Sequence, residues 1–225
     1  MLKPQIRELY SDDPIGVFRR KGEDLEKLFD DEKQNIYFDK KFEEGLEKPN
    51  FVIRPMAGAL LSLDRNAMVN YAHNNGYKRP SQWGNFDDYG GDCTNFVSQV
   101  IHAGTNGVMD SSGDLQWFYN GYNDRAASWT SVSSLYDYLT RNTGRGPQGE
   151  LASTTMIYYS MQVGDIIQID FNSDGTFDHS TTIVKYQVGF PTGTLVAAHT
   201  SDVDNKSIND YVGSKRWIHL TGYER

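Results

Sequence analysis

The feature that most constrains the fold is a change of hydrophobic period along the chain. Up to about residue 141 the apolar residues recur at helical spacing, whereas after Met161 they alternate with polar residues as in strands. The sequence predicts helices over residues 63–74, 94–102 and 131–141, and antiparallel strands over residues 165–171, 179–187, 194–199 and 216–223. Helices first and strands later predict an α+β fold, with N-terminal helices packed on an antiparallel β-sheet.

Two helix ends carry end signals. Asp64 is of the residue type that caps a helix N-terminus, and it precedes the first predicted helix. The second helix places Phe96, Val97, Val100 and Ile101 on one face, and Gly104 follows where a C-terminal cap glycine is expected.

Charge density divides the chain into two regions. The first 50 residues contain 23 charged side chains, whereas the remaining 175 contain 29. Residues 22–47 also carry a rough helical stripe of apolar residues. We therefore predict a charged helical extension or spacer over residues 1–60 and one catalytic domain over residues 61–225. A partly disordered leader is the alternative for the first region.

Composition excludes several classes of protein. The net charge of −8 leaves no basic stripe for nucleic-acid phosphates. No apolar run reaches the length of about 18 residues that a membrane span needs. The N-terminus lacks the apolar core of a secretory signal, so the protein is expected to be cytosolic or to have lost a leader. One cysteine excludes an internal disulfide.

That cysteine, Cys93, stands at the start of the second helix in the sequence YGGDCTNFVS. Unpaired backbone N–H groups at a helix start favour a thiolate and can also hold an oxyanion. Gly90 and Gly91 permit a sharp turn into the helix. The alternative is that Cys93 is a small buried apolar residue.

A base for Cys93 must come from elsewhere in the chain, which has five histidines. His102 lies at the far end of the same helix, and His73 is expected on the surface. His179 and His199 fall at or near the ends of neighbouring predicted strands. We predict that His179 is the base and that His199 fixes its tautomer and orientation.

These residues resemble a known family. The segments DCTNFVSQVIHAG, VGDIIQIDFNSDGTFDHSTTIV and LVAAHTSDVDNKSI are similar to the bacterial "putative amidase domain" family, over about residues 60–225. The resemblance places the chain with the CHAP and NlpC-type cell-wall amidases and endopeptidases. It implies a papain-like α+β core, Cys93 as the nucleophile, His179 as the base and a polar third group at His199.

The third catalytic group has alternatives. Asp178, Asp202 and Asn205 are also polar and follow or flank the same strands. Asp92, beside the nucleophile, is expected to cap the helix or to steer a substrate amine.

The turn before His179 resembles the opening of a calcium loop. Asp170, Asn172, Asp174 and Asp178 fall at the spacing of such ligands, but Thr181 occupies the position of the usual bidentate glutamate. The alternative is an ordinary turn, because Asn, Ser, Asp and Gly are turn residues. Calcium is therefore a candidate ligand, and no cofactor is expected to be required.

Aromatic residues crowd the segment after the nucleophile helix. Trp117 and Trp129 are predicted to bind substrate, with packing of the core as the alternative. Upstream of Cys93, Gln82 and Trp83 are predicted to line the cleft or to donate to an oxyanion.

Together these features predict a monomeric cysteine hydrolase that cleaves an amide bond, in peptidoglycan stem peptides if the resemblance holds, and that is secreted or associated with the cell wall. The alternatives are a non-catalytic wall-binding module and a thioester acyltransferase.

Overall fold

The computed structural model describes residues 60–225. The predicted helical extension over residues 1–60 therefore lies outside the described residues, except for its last position. Among the described residues, no helix is long and apolar enough to cross a membrane.

The described chain is a mixture of helices with one main antiparallel sheet, which confirms the predicted α+β class. The helices are α1 Arg65–Asn75, α2 Cys93–Gly104, α3 Ala127–Thr130, α4 Val132–Arg141 and α5 Thr154–Tyr159. The strands are β1 Tyr119–Gly121, β2 Asp124–Arg125, β3 Gly146–Leu151, β4 Ile166–Asp170, β5 His179–Lys185, β6 Leu195–Ala198, β7 Val203–Ser207 and β8 Ser214–Glu224.

The main sheet has six strands in the order β3-β8-β4-β5-β6-β7, and every neighbouring pair is antiparallel. β1 and β2 form a separate two-stranded hairpin. The strand that begins at His179 therefore lies inside the sheet, between β4 and β6.

Each face of the sheet covers its own apolar cluster. The helices pack on one face, where Phe96, Val97 and Val100 of α2 meet Val184 and Ile218 of the sheet. We call the smaller cluster on the opposite face the second core, and its residues are Met161, Ile167, Ile169, Ile183, Val196, Ile208, Tyr211 and Trp217. Because side chains alternate along a strand, β5 contributes to both clusters.

The helix starts follow the predicted capping chemistry. Asp64 precedes α1, and its Oδ1 accepts a hydrogen bond from the backbone N–H of Ala67 at 2.9 Å. Ser131 plays the same part for α4, since its side chain accepts from the N–H of Ser134. Both contacts satisfy donors that a helix start otherwise leaves unpaired.

Gly104 does not serve as the predicted C-terminal cap of α2. Gly104 is the last residue of α2, and Thr105 is the C-cap. A Cβ at Gly104 would lie 2.5 Å from the Met68 side chain of α1. The glycine therefore permits close packing of the two helices.

Candidate active site

Cys93 is the first residue of α2 and is 4% exposed. Two glycines with positive φ, Gly90 at 95° and Gly91 at 112°, carry the chain into the helix. These values lie in a region that favours glycine, as the sharp turn before Cys93 requires. The predicted turn is therefore present, and it ends on a buried thiol.

The thiol lies where α2 meets the start of β5. Its Sγ is 3.8 Å from Thr94 Oγ1, and Thr94 Oγ1 is 3.1 Å from the Oγ of Ser180. Ser180 directly follows His179 in β5. The helix start and the strand start are thus joined by two hydroxyl groups.

Burial raises the pKa of the Cys93 thiol, whereas hydrogen bonds from the Ser180 backbone and from Thr94 act to lower it. The net direction is upward, because removing a thiolate from water costs more than these donors return. The helix start alone therefore does not produce a resting thiolate, contrary to the expectation from its sequence position.

His179 opens β5 on the face opposite to that of Ser180. On the adjacent strand β4, His179 pairs with Ile169, which belongs to the second core. The His179 ring lies 5.7 Å from the ring of Tyr211. Burial, with the positive charge of Lys206 as a smaller cause, lowers the pKa of His179 to about 4. The ring is neutral at pH 7, as a general base must be.

The Nε2 atom of His179 is buried and has no hydrogen-bond partner among the described residues. No hydrogen bond joins it to the Cys93 thiol. Catalytic hydrogen bonds are often long in unliganded enzymes and tighten when substrate binds. The structure therefore shows a buried histidine with an unpartnered Nε2 at the start of the strand that meets the thiol.

His199 does not orient His179. Its Nδ1 lies 2.5 Å from Asp92 Oδ2, and its Nε2–H donates to the carbonyl oxygen of Asn75 at 2.8 Å. The ring also stacks on Phe96, with centroids 4.1 Å apart. The predicted contact between the two histidines is absent because both ring nitrogens of His199 are bonded on the helical face of the sheet.

Asp92 forms the centre of a buried polar network. Its Oδ1 accepts hydrogen bonds from the Phe86 N–H and the Asn95 amide, both at 2.9 Å, and its Oδ2 also lies 3.2 Å from Arg79 Nε. Asp92 is the N-cap residue by position, but its side chain does not bond to the helix N–H groups. The predicted side-chain cap is therefore wrong, and the carboxylate is fully buried.

The alternative third groups are also engaged elsewhere or exposed. Asp202 pairs with Arg79 at 2.6 Å, and Asp178 Oδ2 accepts a hydrogen bond from the Phe171 N–H at 3.2 Å. Asn205 is exposed and has a φ of 58°. None of these side chains forms a hydrogen bond with His179.

The predicted aromatic contacts with substrate fail for the two buried tryptophans. Trp117 and Trp129 are fully buried, and their indole N–H groups donate to Ser98 Oγ and Asn95 Oδ1. Trp83 is half-buried and stacks on Trp129 with centroids 5.3 Å apart. Gln82 is exposed. The structure therefore confirms the alternative of core packing for Trp117 and Trp129.

The acidic turn before His179 bonds to its own backbone. Asp170 is buried, and its two carboxylate oxygens accept the N–H groups of Asp174 and Gly175 at 3.2 and 2.8 Å. Asp174 Oδ1 accepts the N–H of Thr176. Among residues 60–225, no group of three His, Cys, Asp or Glu side chains is placed to hold a metal ion. These contacts are those of a tight turn.

Sequence reasoning missed four residues that surround Cys93 and His179. Ser180 and Thr94 lie beside the thiol, while Lys206 and Tyr211 lie beside the histidine. Thr94 directly follows Cys93 and Ser180 directly follows His179, so their position in the sequence could have indicated them. Lys206 and Tyr211 lie in β7 and in a loop, where no motif marked them.

The described chain is thus an α+β domain in which a buried cysteine opens α2 beside β5, the strand that begins with His179. A family model described as "Putative amidase domain" matches residues 62–223. The chain belongs to this family, whose description points to amide hydrolysis.

The chain is also similar to "Uncharacterized protein YhbB" of Bacillus subtilis (strain 168), with 31% identity over 150 residues. The match covers 66% of this chain and 45% of that protein, so the chain spans less than half the length of its curated relative. No solved structure matches the chain.

Proposed function

We propose that this protein is a cysteine-dependent amide hydrolase in which Cys93 is the nucleophile and His179 the general base. The observation that carries the proposal is the junction of α2 and β5. The thiol at the first residue of α2 receives a stabilising contact from the Ser180 backbone, one residue beyond a buried histidine with a free Nε2. Family membership supports amide cleavage as the reaction.

The reaction starts from a neutral thiol and a neutral imidazole. Because burial raises the pKa of Cys93 and lowers that of His179, neither group carries its charge at pH 7. Substrate binding closes the gap between the groups, and the thiol proton passes to Nε2 as sulfur attacks the carbonyl carbon. The imidazolium then protonates the leaving amine, and water hydrolyses the thioester with His179 again acting as base.

Asp92 and His199 position the nucleophile. Their contact ties the residue before Cys93 to the end of β6, and the Asn75 carbonyl ties His199 to the end of α1. Thr200 adds a second tie, because its Oγ1 accepts the N–H of Asp92 at 2.8 Å. The start of α2 is thus held by two consecutive residues that follow β6, the first of which also contacts the end of α1.

Peptidoglycan stem peptides are the proposed substrate, and the cell wall or the extracellular space the proposed location. Support comes from the resemblance of the cysteine and histidine motifs to CHAP and NlpC-type cell-wall enzymes, with a papain-like core as the corresponding fold. Lys206 adds a cation near His179, which suits a substrate with a free carboxylate. We propose a monomer as the acting unit.

One observation favours a second candidate, a non-catalytic wall-binding module. The thiol is buried, its pKa is raised, and no hydrogen bond joins it to His179, as for an inert cysteine. Such a module would bind peptidoglycan without releasing any product.

The deciding experiment is mass spectrometry of muropeptides after incubation of purified peptidoglycan with the full chain. The wild-type protein should release fragments that have gained one water across an amide bond. Cys93→Ala should release none, while the matched surface variant His73→Gln should act like wild type. Binding without products in all three proteins would favour the wall-binding module instead. Addition of an amine acceptor would divert the products to new amides if the enzyme were an acyltransferase.

A further inference from the structure

Two neighbouring rings near the proposed nucleophile each carry an unpartnered polar atom. The Nε2 of His179 and the hydroxyl of Tyr211 are both buried without a hydrogen-bond partner among the described residues. Their rings lie 5.7 Å apart, tilted by 32°. Buried polar groups are nearly always paired, so two adjacent exceptions require an explanation.

The ring of Tyr211 is held from several sides. Lys206 Nζ lies 4.1 Å above its centroid, and the ring of Phe171 lies 6.5 Å away. The Lys215 ammonium donates to the Tyr211 carbonyl oxygen at 2.7 Å. Because the ring belongs to the second core and is only 7% exposed, the hydroxyl has little freedom to find another partner.

The hydroxyl is also within the electrostatic reach of the thiol. Burial raises the pKa of Tyr211 to about 12, and a negative charge on Cys93 adds to the rise. At neutral pH the group therefore keeps its proton and acts as a donor. A donor near a site of developing negative charge, in a region shielded from water, is the arrangement that stabilises an oxyanion.

This inference rests on the proposed function. We propose that the Tyr211 hydroxyl donates a hydrogen bond to the substrate carbonyl oxygen as that oxygen becomes the oxyanion of the tetrahedral intermediate bonded to Cys93. When sulfur bonds to the carbonyl carbon, the π pair of the carbonyl moves to oxygen and the Tyr211 O–H stabilises it. Tyr211 keeps its proton throughout. The oxygen pair re-forms the carbonyl when the C–N bond breaks, and nitrogen takes its proton from His179.

Two reagents that react with Cys93 distinguish an oxyanion donor at Tyr211 from a residue that only supports the structure. A peptide aldehyde, such as N-acetyl-alaninal, forms a hemithioacetal with an oxygen in the oxyanion position. Iodoacetamide alkylates sulfur by displacement of iodide and creates no oxyanion. Loss of an oxyanion donor should weaken the first reaction and leave the second unchanged.

The test compares Tyr211→Phe with Tyr186→Phe in the full chain. Tyr186 packs against the same second core beyond the end of β5, and its hydroxyl donates to the Ile157 carbonyl oxygen. In Tyr211→Phe we expect kcat on peptidoglycan to fall by about 10²- to 10³-fold with little change in KM. Aldehyde affinity should weaken by a similar factor, and the iodoacetamide rate should stay within about twofold. Tyr186→Phe should leave all three at the wild-type level.

Wild-type kcat and aldehyde affinity in a folded Tyr211→Phe protein would overturn the proposal. An equal loss of aldehyde affinity and alkylation rate would also overturn it, because it would mean that the site had simply collapsed. Failure of the proposed function itself is distinguishable, since either the wild-type protein would then release no product or Cys93→Ala would retain the wild-type activity.

Discussion

The Nδ1 atom of His199 lies 2.5 Å from Oδ2 of Asp92, the residue that precedes the proposed nucleophile. Both partners of the His199 ring, this carboxylate and the Asn75 carbonyl, are hydrogen-bond acceptors. Both ring nitrogens are therefore engaged by oxygens of neighbouring residues. His199 thus anchors the start of α2, and the proposed base His179 lies on the other face of the sheet.

We expect Asp92→Asn to destabilise the domain by about 3 to 5 kcal/mol, because it leaves His199 and Arg79 without their buried carboxylate. The measurement is the free energy of unfolding from urea denaturation. The matched control is Asp87→Asn, which removes a partly exposed carboxylate from the same Arg79 and should cost less than about 1 kcal/mol. Equal losses in the two variants would contradict the role of Asp92 as the centre of the network.

His179 should make the fold sensitive to acid. Its pKa is about 4 in the folded protein, against an ordinary value near 6.5 when unfolded. Between these values the unfolded chain binds more protons, so the free energy of unfolding falls as the pH falls. The full loss, on the order of 3 kcal/mol, is reached below pH 4. Above pH 6.5 this loss of unfolding free energy is absent.

Urea denaturation of wild type and His179→Gln between pH 4 and 7 checks this expectation. The difference in stability between the two proteins should shift in favour of the variant as the pH falls. His73→Gln, which alters a surface histidine beside Asp204, should retain the component due to His179. A difference that stays constant over this pH range would show that His179 titrates normally in the folded state.

The two glycines before the proposed nucleophile, Gly90 and Gly91, should tolerate alanine differently. A Cβ at Gly91 would lie 3.0 Å from Thr200 Oγ1, whereas one at Gly90 would meet nothing within 4 Å. Both positions have positive φ, so both variants share the backbone strain. Gly91→Ala should therefore lower both the melting temperature and kcat more than Gly90→Ala. The same loss in both variants would mean that strain alone matters and that contact with Thr200 does not.

Removal of calcium should not change the protein. The oxygens of Asp170 are already bonded to the N–H groups of Asp174 and Gly175, so the turn has its own internal support. We expect equal melting temperatures and equal muropeptide release in EDTA and in millimolar calcium. A melting temperature that rises by several degrees with calcium in the wild type but not in Asp174→Asn would instead support the predicted calcium loop.

The sequence predicted those elements whose hydrophobic pattern is strong. The strand at 179–187 is β5 at His179–Lys185, and the helix at 94–102 is α2 at Cys93–Gly104. The pattern could not reveal β3, because its sequence GPQGEL lacks alternating apolar residues. β3 pairs with β8 at the edge of the sheet, where a proline is tolerated. β3 is therefore a strand because it pairs with β8, and its own sequence does not indicate one.

The site was predictable as a list of residues but not as a set of contacts. His179 begins β5, and His199 directly follows the end of the neighbouring strand β6, close to the predicted placement. The register pairs Thr182 with Ala197, which on continuation would set His199 opposite Ser180 and not opposite His179. A shift of one residue changes the face of a strand side chain, and sequence alone does not fix that register. The burial of Trp117 and Trp129 could not be predicted either, because aromatic side chains suit both a core and a substrate cleft.

The most direct test of the central claim is to trap the thioester on Cys93. The full chain is mixed with muropeptides, quenched in acid within milliseconds to seconds, and its intact mass and tryptic peptides are measured. We predict an acyl adduct on the tryptic peptide of the wild-type protein that contains Cys93. The adduct should be strongly reduced in His179→Gln, which lacks the proposed base for acylation, and absent in Cys93→Ala. Product release with no adduct in any variant, or equal release by Cys93→Ala, would contradict catalysis by this cysteine.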